Sequence, residues 1–82
     1  MFIHLGGEKI IRSSELIAIF DLSMRKSSKI SKQYIAEAMK NKQIEIIGEE
    51  ENKSLVLTQS KVYYSPISSM TLKKRAHQLL TN

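Results

Sequence analysis

The apolar residues of this chain occur in short runs separated by polar turns, and this spacing constrains the fold more than any other feature. The longest run, ELIAIFDL at residues 15–22, is nearly continuous, which predicts a strand buried on both faces at the centre of a sheet. Five shorter runs also predict strands, namely Phe2–Leu5, Lys9–Ile11, Ile44–Ile47, Leu55–Leu57 and Val62–Tyr64. None approaches the ~20 residues that span a bilayer.

Turns and helices complete this pattern. Gly6-Gly7 predicts a tight turn, residues 48–53 a loop, and Gln59-Ser60 the tip of a hairpin. A helical stripe with Ser31 as its N-cap is formed by Ile30, Tyr34, Ile35, Ala38 and Met39. A second stripe, capped by Ser68 or Ser69, contains Leu72, Ala76, Leu79 and Leu80. The order predicts an α+β fold: a small, mainly antiparallel sheet with one central helix and one C-terminal helix.

Length and composition limit the architecture. The chain has 82 residues, of which 41% are apolar, so we expect a single domain over residues 1–82 with a small core. There is no cysteine, which excludes disulfides, thiol catalysis and cysteine-based zinc sites. Association with further copies is expected because so small a core supplies little net stability. The N-terminal stretch lacks the order of a signal peptide, so we expect a cytoplasmic protein.

Positive charge is in excess and unevenly distributed. The chain has thirteen Lys and Arg and eight Asp and Glu, so its net charge is +5. This excess of positive charge makes nucleic acid a candidate partner. The two basic clusters are Arg25, Lys26, Lys29 and Lys32, and Lys73, Lys74 and Arg75. Either cluster could instead be a solvated face that keeps a small protein soluble. The acidic run Glu49–Glu51 lies between them in the sequence.

The sequence contains no convincing catalytic or metal site. His4 and His77 are the candidates for a general base, but His4 lies within a predicted strand and His77 on a basic helical face. Glu49–Glu51 lacks the spaced oxygen ligands of a calcium loop. We therefore expect neither an enzyme nor a metal or cofactor.

Three segments together resemble the bacterial RemA/RemB family of extracellular matrix regulatory proteins, most closely its RemB branch. These are HLGGEKIIRSSELIAIFDL, ISKQYIAEA and SLVLTQSKVYYSPISSMTL. The resemblance implies a DNA-binding transcriptional regulator that activates biofilm matrix genes, with a fold similar to the LytTR DNA-binding domain. For the RemA branch it also implies a closed homo-oligomeric ring with double-stranded DNA on its lateral surface.

The chain departs from the RemA branch at two places. The branch has an arginine-rich DNA-contacting loop after a glycine, whereas here Gly48 is followed by Glu49–Glu51. In this loop only Lys53 keeps the positive charge that the RemA branch has. The branch also has an arginine before the longest apolar run, where this chain has Glu15. Carboxylates repel phosphate, so DNA contact would depend on Lys53 and the two basic clusters. An alternative hypothesis is a protein-interaction subunit that modulates a DNA-binding RemA-type paralogue without binding DNA.

Overall fold

The computed structural model describes residues 1–22, 33, 36–37 and 39–81. Within these residues the elements with defined bounds are six strands, a 3₁₀ turn at Ser13–Glu15 and one helix, and Gln33, Ala36, Glu37 and Met39 are also helical. The strands are β1 (Phe2–Gly6), β2 (Lys9–Arg12), β3 (Leu16–Asp21), β4 (Gln43–Ile46), β5 (Ser54–Thr58) and β6 (Lys61–Ser65), and the helix is α1 (Ser69–Thr81). Each predicted strand has an observed counterpart, and no end is shifted by more than one residue.

The strands form two sheets rather than one. β1 and β2 pair as an antiparallel hairpin, and the other four form a sheet in the order β3-β5-β6-β4. β4 runs parallel to β6, whereas the other neighbours are antiparallel. β3 and β4 therefore lie at the two edges of the four-stranded sheet.

The prediction that ELIAIFDL forms the central strand is wrong. β3 is an edge strand, most of its residues are only half-buried, and Ile17 is 47% exposed where the register shifts between Leu16 and Ala18. The central strands are β5 and β6, and every residue of β5 is buried. A continuous apolar run indicates that both faces of a strand pack against other apolar residues, but it does not identify the neighbouring strands.

The predicted fold class is also wrong. The described part of the chain is mainly β, with two sheets and α1 as its one continuous helix, and the similarity to LytTR is not confirmed. The predicted central helix around Ser31 to Met39 falls largely outside the described residues. The number of strands predicted from the sequence is correct. The sequence could not show that β1 and β2 form a separate hairpin that packs on the larger sheet.

The four-stranded sheet has apolar contacts on both faces. On one face Val56 and Tyr63 pack against the β1-β2 hairpin and α1, in a cluster with Ile3, Leu5, Ile11, Ile47 and Leu72. On the other face Leu55, Leu57 and Val62 form a second cluster, against which Ala18, Phe20, Met39 and Tyr64 pack. Burial on both faces explains the absence of period-two alternation in β5.

The hairpin is fastened to the end of β6. The buried Ser65 hydroxyl donates a hydrogen bond to the Leu5 carbonyl and accepts one from the Ile67 N–H at 3.1 Å. Beside this joint Gly6 has φ +112°, and a Cβ there would lie 3.1 Å from the Pro66 ring. Only glycine combines this backbone angle with such close packing.

The start of α1 agrees with its sequence. Ser68 is the N-cap: its side-chain oxygen accepts from the Thr71 N–H at 3.3 Å, and its carbonyl accepts from the Leu72 N–H at 3.1 Å. Leu72 is fully buried and Ala76 packs beside the same cluster, as the stripe predicts. The side chains of Leu79 and Leu80 lie outside the described ones. Burial of this stripe leaves the next two residues, Lys73 and Lys74, on the exposed side of the helix.

Candidate nucleic-acid interface

An open groove runs between the exposed side of α1 and the end of β3. Its volume is about 880 Å³, and it is lined by Asp21, Ser69, Met70, Lys73, Lys74 and His77. Both lysines are exposed, and Met70 is 70% exposed. The groove thus places two exposed lysines beside the exposed Met70 at one end of the sheet.

A second depression of about 300 Å³ adjoins the first. It is lined by Asp21, Leu22, Glu51, Asn52, Lys53 and Ser68, so that Asp21 lines both depressions. The main chain fixes Lys53 here, because its N–H donates to the Ser65 carbonyl at 2.8 Å and its carbonyl accepts from the Leu22 N–H at 3.0 Å. Lys53, Lys73 and Lys74, predicted from two distant segments, are therefore brought to the same end of the sheet.

The remaining predicted DNA-contacting residues divide into two groups. Arg25, Lys26, Lys29 and Lys32 lie outside the described residues. Arg75 is described and half-buried, and its Nη1 donates to the His4 carbonyl at 2.9 Å. Arg75 therefore ties α1 to the hairpin, and less of its guanidinium is available to phosphate than the sequence suggested.

The acidic loop borders the same end of the sheet. Gly48 turns the chain with φ +72°, and Glu49, Glu50 and Glu51 are all exposed. Glu51 lines the second depression together with Lys53. Each anion at this position repels phosphate, so the loop reduces the attraction that the three lysines exert. Glu15, the other departure from the RemA branch, ends the 3₁₀ turn that precedes β3 at the opposite end of the sheet and is half-buried.

A separate charge cluster couples the two sheets. Lys9 Nζ lies 3.2 Å from Glu45 Oε2 and Lys61 Nζ lies 3.5 Å from Glu45 Oε1. The hydrogen bond from Lys9 is the main reason that the pKa of Glu45 is lowered, and the charges of Lys9 and Lys61 add to the effect. Lys9 Nζ is also 5.4 Å from the centroid of the Tyr63 ring. Sequence reasoning missed this cluster because its members come from three distant segments.

The described residues contain no group of three or more His, Cys, Asp or Glu side chains that could hold a metal ion. Within the same part of the chain, no helix has both the length and the apolar character needed to cross a membrane.

Comparison with known proteins identifies the family. Residues 2–76 match the family model RemA-like, described as extracellular matrix regulatory protein A-like. The chain belongs to the RemA-like family. One curated relative, extracellular matrix regulatory protein B of Bacillus subtilis (strain 168), is 35% identical over 78 residues, which cover 93% of this chain and 90% of that protein. The resemblance drawn from the sequence is thereby confirmed.

The RemA-like match includes every described strand and the first half of α1. Lys53, Lys73 and Lys74 therefore all lie within the matched region. Apart from His77, which follows the matched region, the residues that line the two depressions all belong to the family domain.

Proposed function

We propose that this RemA-like protein is a DNA-binding transcriptional regulator of biofilm extracellular matrix genes. It acts as a homo-oligomer and holds double-stranded DNA through phosphate contacts. The observation that carries the proposal is the convergence of Lys53, Lys73 and Lys74 on two adjoining depressions at one end of the sheet. Control of matrix genes is supported by the name of the Bacillus subtilis relative.

Lysine ammonium groups suit phosphate as point charges, and such contacts position a protein on DNA without reading its sequence. Asp21 and Glu51 line the same depressions and oppose the attraction, so one copy binds weakly. Several associated copies add phosphate contacts along one duplex, and their combined affinity exceeds that of each copy. The proposal therefore combines weak DNA binding by each copy with the association of several copies on one duplex.

The test is the salt dependence of binding to a mixed-sequence DNA duplex. The affinity falls as salt rises, and each lost phosphate contact reduces the steepness of log K against log salt by about 0.9. The variant Lys73→Ala/Lys74→Ala should therefore flatten the slope by about 1.8 for each bound copy. Lys61→Ala is the matched control, because Lys61 begins β6 at the opposite end of the sheet and is paired with Glu45. An unchanged slope in the double variant contradicts the assignment, and no binding of the unaltered protein at low salt contradicts DNA binding itself.

A second function is favoured by the three exposed carboxylates of Glu49–Glu51. A subunit that modulates a DNA-binding RemA-type paralogue would use them to pair with basic residues of that paralogue. Native mass spectrometry of a mixture of the two proteins tests this function. Mixed assemblies that disappear on Glu49→Gln/Glu50→Gln/Glu51→Gln support it, and separate homo-oligomers contradict it.

A further inference from the structure

The outer edge of β4 is exposed and apolar. β4 pairs with β6 on one side and ends the four-stranded sheet on the other. Ile44 is 53% exposed and Ile46 is 64% exposed. Their register places them beside Val62 and Tyr64, on the face of the second apolar cluster. Exposed edge strands with apolar side chains are ready sites for pairing with another strand.

The charges on either side of β4 have opposite signs. Lys40 and Lys42 precede the strand, whereas Glu49 and Glu50 follow it, and all but the half-buried Lys42 are exposed. The strand between them is apolar apart from Gln43 at its start and Glu45, whose carboxylate is already held by two lysines. A segment that is positive at its start, apolar in its middle and negative at its end is complementary to itself in the antiparallel direction.

We propose that β4 is an interface at which two copies of this chain pair antiparallel about a two-fold axis. The four-stranded sheets of the two copies then form one continuous sheet. With Glu45 on the axis, Ile44 lies opposite the partner's Ile46, and the four isoleucines form one apolar strip. The same register brings Lys40 towards the partner's Glu50, whereas Lys42 Nζ donates to the Thr58 carbonyl of its own chain at 3.0 Å.

The charges that flank β4 favour this occupant and this direction. The two Glu45 carboxylates face each other on the axis, and their repulsion is offset by the Lys9 and Lys61 that each copy holds against its own Glu45. A parallel pairing of two β4 strands would place lysines beside lysines and glutamates beside glutamates, which is unfavourable. The inference rests on the part of the proposed function in which copies associate. It is independent of whether the protein binds DNA.

The first test measures self-association by sedimentation over a range of concentrations. Ile46→Glu places two carboxylates in the apolar strip and should raise the dimer dissociation constant by at least about 100-fold. Ile17→Glu is the matched control, because Ile17 is a similarly exposed isoleucine on the other edge strand. Circular dichroism of both variants verifies that each remains folded.

A charge exchange tests the complementarity. Lys40→Glu and Glu50→Lys should each weaken self-association about tenfold, because each replaces two attractions by two repulsions. An equimolar mixture of the two variants should recover the lost affinity by forming mixed dimers, since both contacts are then again between opposite charges. If the mixture associates no more strongly than either variant alone, the proposed pairing is contradicted.

The absence of cysteine allows a test of the register. Directly opposite residues lie within the Cα separation of about 4.4–6.8 Å that a disulfide requires. A mixture of Ile44→Cys and Ile46→Cys chains should therefore cross-link faster between the two kinds of chain than within either kind.

The outcomes separate this inference from the proposed function. A wild-type chain that stays monomeric up to millimolar concentration overturns both the interface and the homo-oligomer. A chain that associates equally well with and without Ile46→Glu overturns the β4 interface alone. Whether a single copy binds DNA is measured separately, and neither result decides it.

Discussion

Removal of the Ser65 hydroxyl tests how the hairpin is attached to the larger sheet. Ser65 is fully buried, and its oxygen joins the Leu5 carbonyl of β1 to the Ile67 N–H that follows β6. Ser65→Ala deletes both hydrogen bonds and leaves too little space for a replacing water. The hairpin then loses its polar link to the end of β6.

The expected loss of stability follows from these two contacts. A buried polar group left without its partner costs about 1–3 kcal/mol. The Leu5 carbonyl loses its donor in a buried site, whereas Ile67 is half-buried, so its N–H recovers part of its loss through water. We expect a decrease in the free energy of unfolding of about 2–3 kcal/mol. For a domain of this size that corresponds to a decrease in Tm of about 10–20 °C.

Thermal and urea unfolding, followed by circular dichroism, measure this change. Ser60→Ala at the exposed hairpin tip is the matched control and should alter stability by less than about 0.5 kcal/mol. Hydrogen exchange provides a second measurement, because the amides of Ile3 and Ile11 should exchange faster if the hairpin is loosened. A Ser65→Ala protein as stable as the Ser60→Ala control would refute this account of the joint.

Three other changes have defined outcomes. Gly6→Ala should lower the free energy of unfolding by about 2–4 kcal/mol, and more than Gly48→Ala, because both positions have positive φ but only the first meets a proline ring. Thr58→Val should cost about 1–2 kcal/mol, since the buried hydroxyl makes two hydrogen bonds across the β5-β6 turn. Lys9→Met should raise the pKa of Glu45, measured by NMR titration. The stability that Lys9 adds, about 0.5 kcal/mol after solvent screening, is present above about pH 4.3 and is lost as pH falls through the lowered pKa.

Local features of the fold could be predicted from the sequence. Strand positions followed from apolar runs, the turn at Gly6-Gly7 from glycine pairs, and the start of α1 from Ser68. Each of these depends on residues close together in the chain. The exposure of Lys73 and Lys74 also has a local cause, because neighbouring Leu72 defines the buried side of the helix, whereas their contact with DNA stays a prediction.

Features that depend on distant segments could not be predicted. Whether β3 lies at the centre or the edge of the sheet is decided by its partner β5, some 35 residues later in the chain. The attachment of Arg75 to the His4 carbonyl crosses nearly the whole sequence, and it gives a predicted phosphate-contacting residue a structural role as well. The convergence of Lys53 with the lysines of α1 likewise depends on the pairing of β5 and β6, which no local pattern specifies.

The proposed β4 interface has a consequence for DNA binding that distinguishes it from other modes of association. Two strands that pair antiparallel point their ends in opposite directions, so the basic ends near Lys53 and Lys73 lie on opposite sides of the joined sheet. A duplex of about 12 base pairs, about 40 Å long, reaches only one of them. Ile46→Glu should therefore leave the affinity for such a duplex unchanged and weaken binding to a duplex of about 60 base pairs that can bend around both ends, as fluorescence anisotropy would measure. An equal loss of affinity for both duplexes would mean that dimers hold DNA on a single side, which antiparallel β4 pairing does not allow.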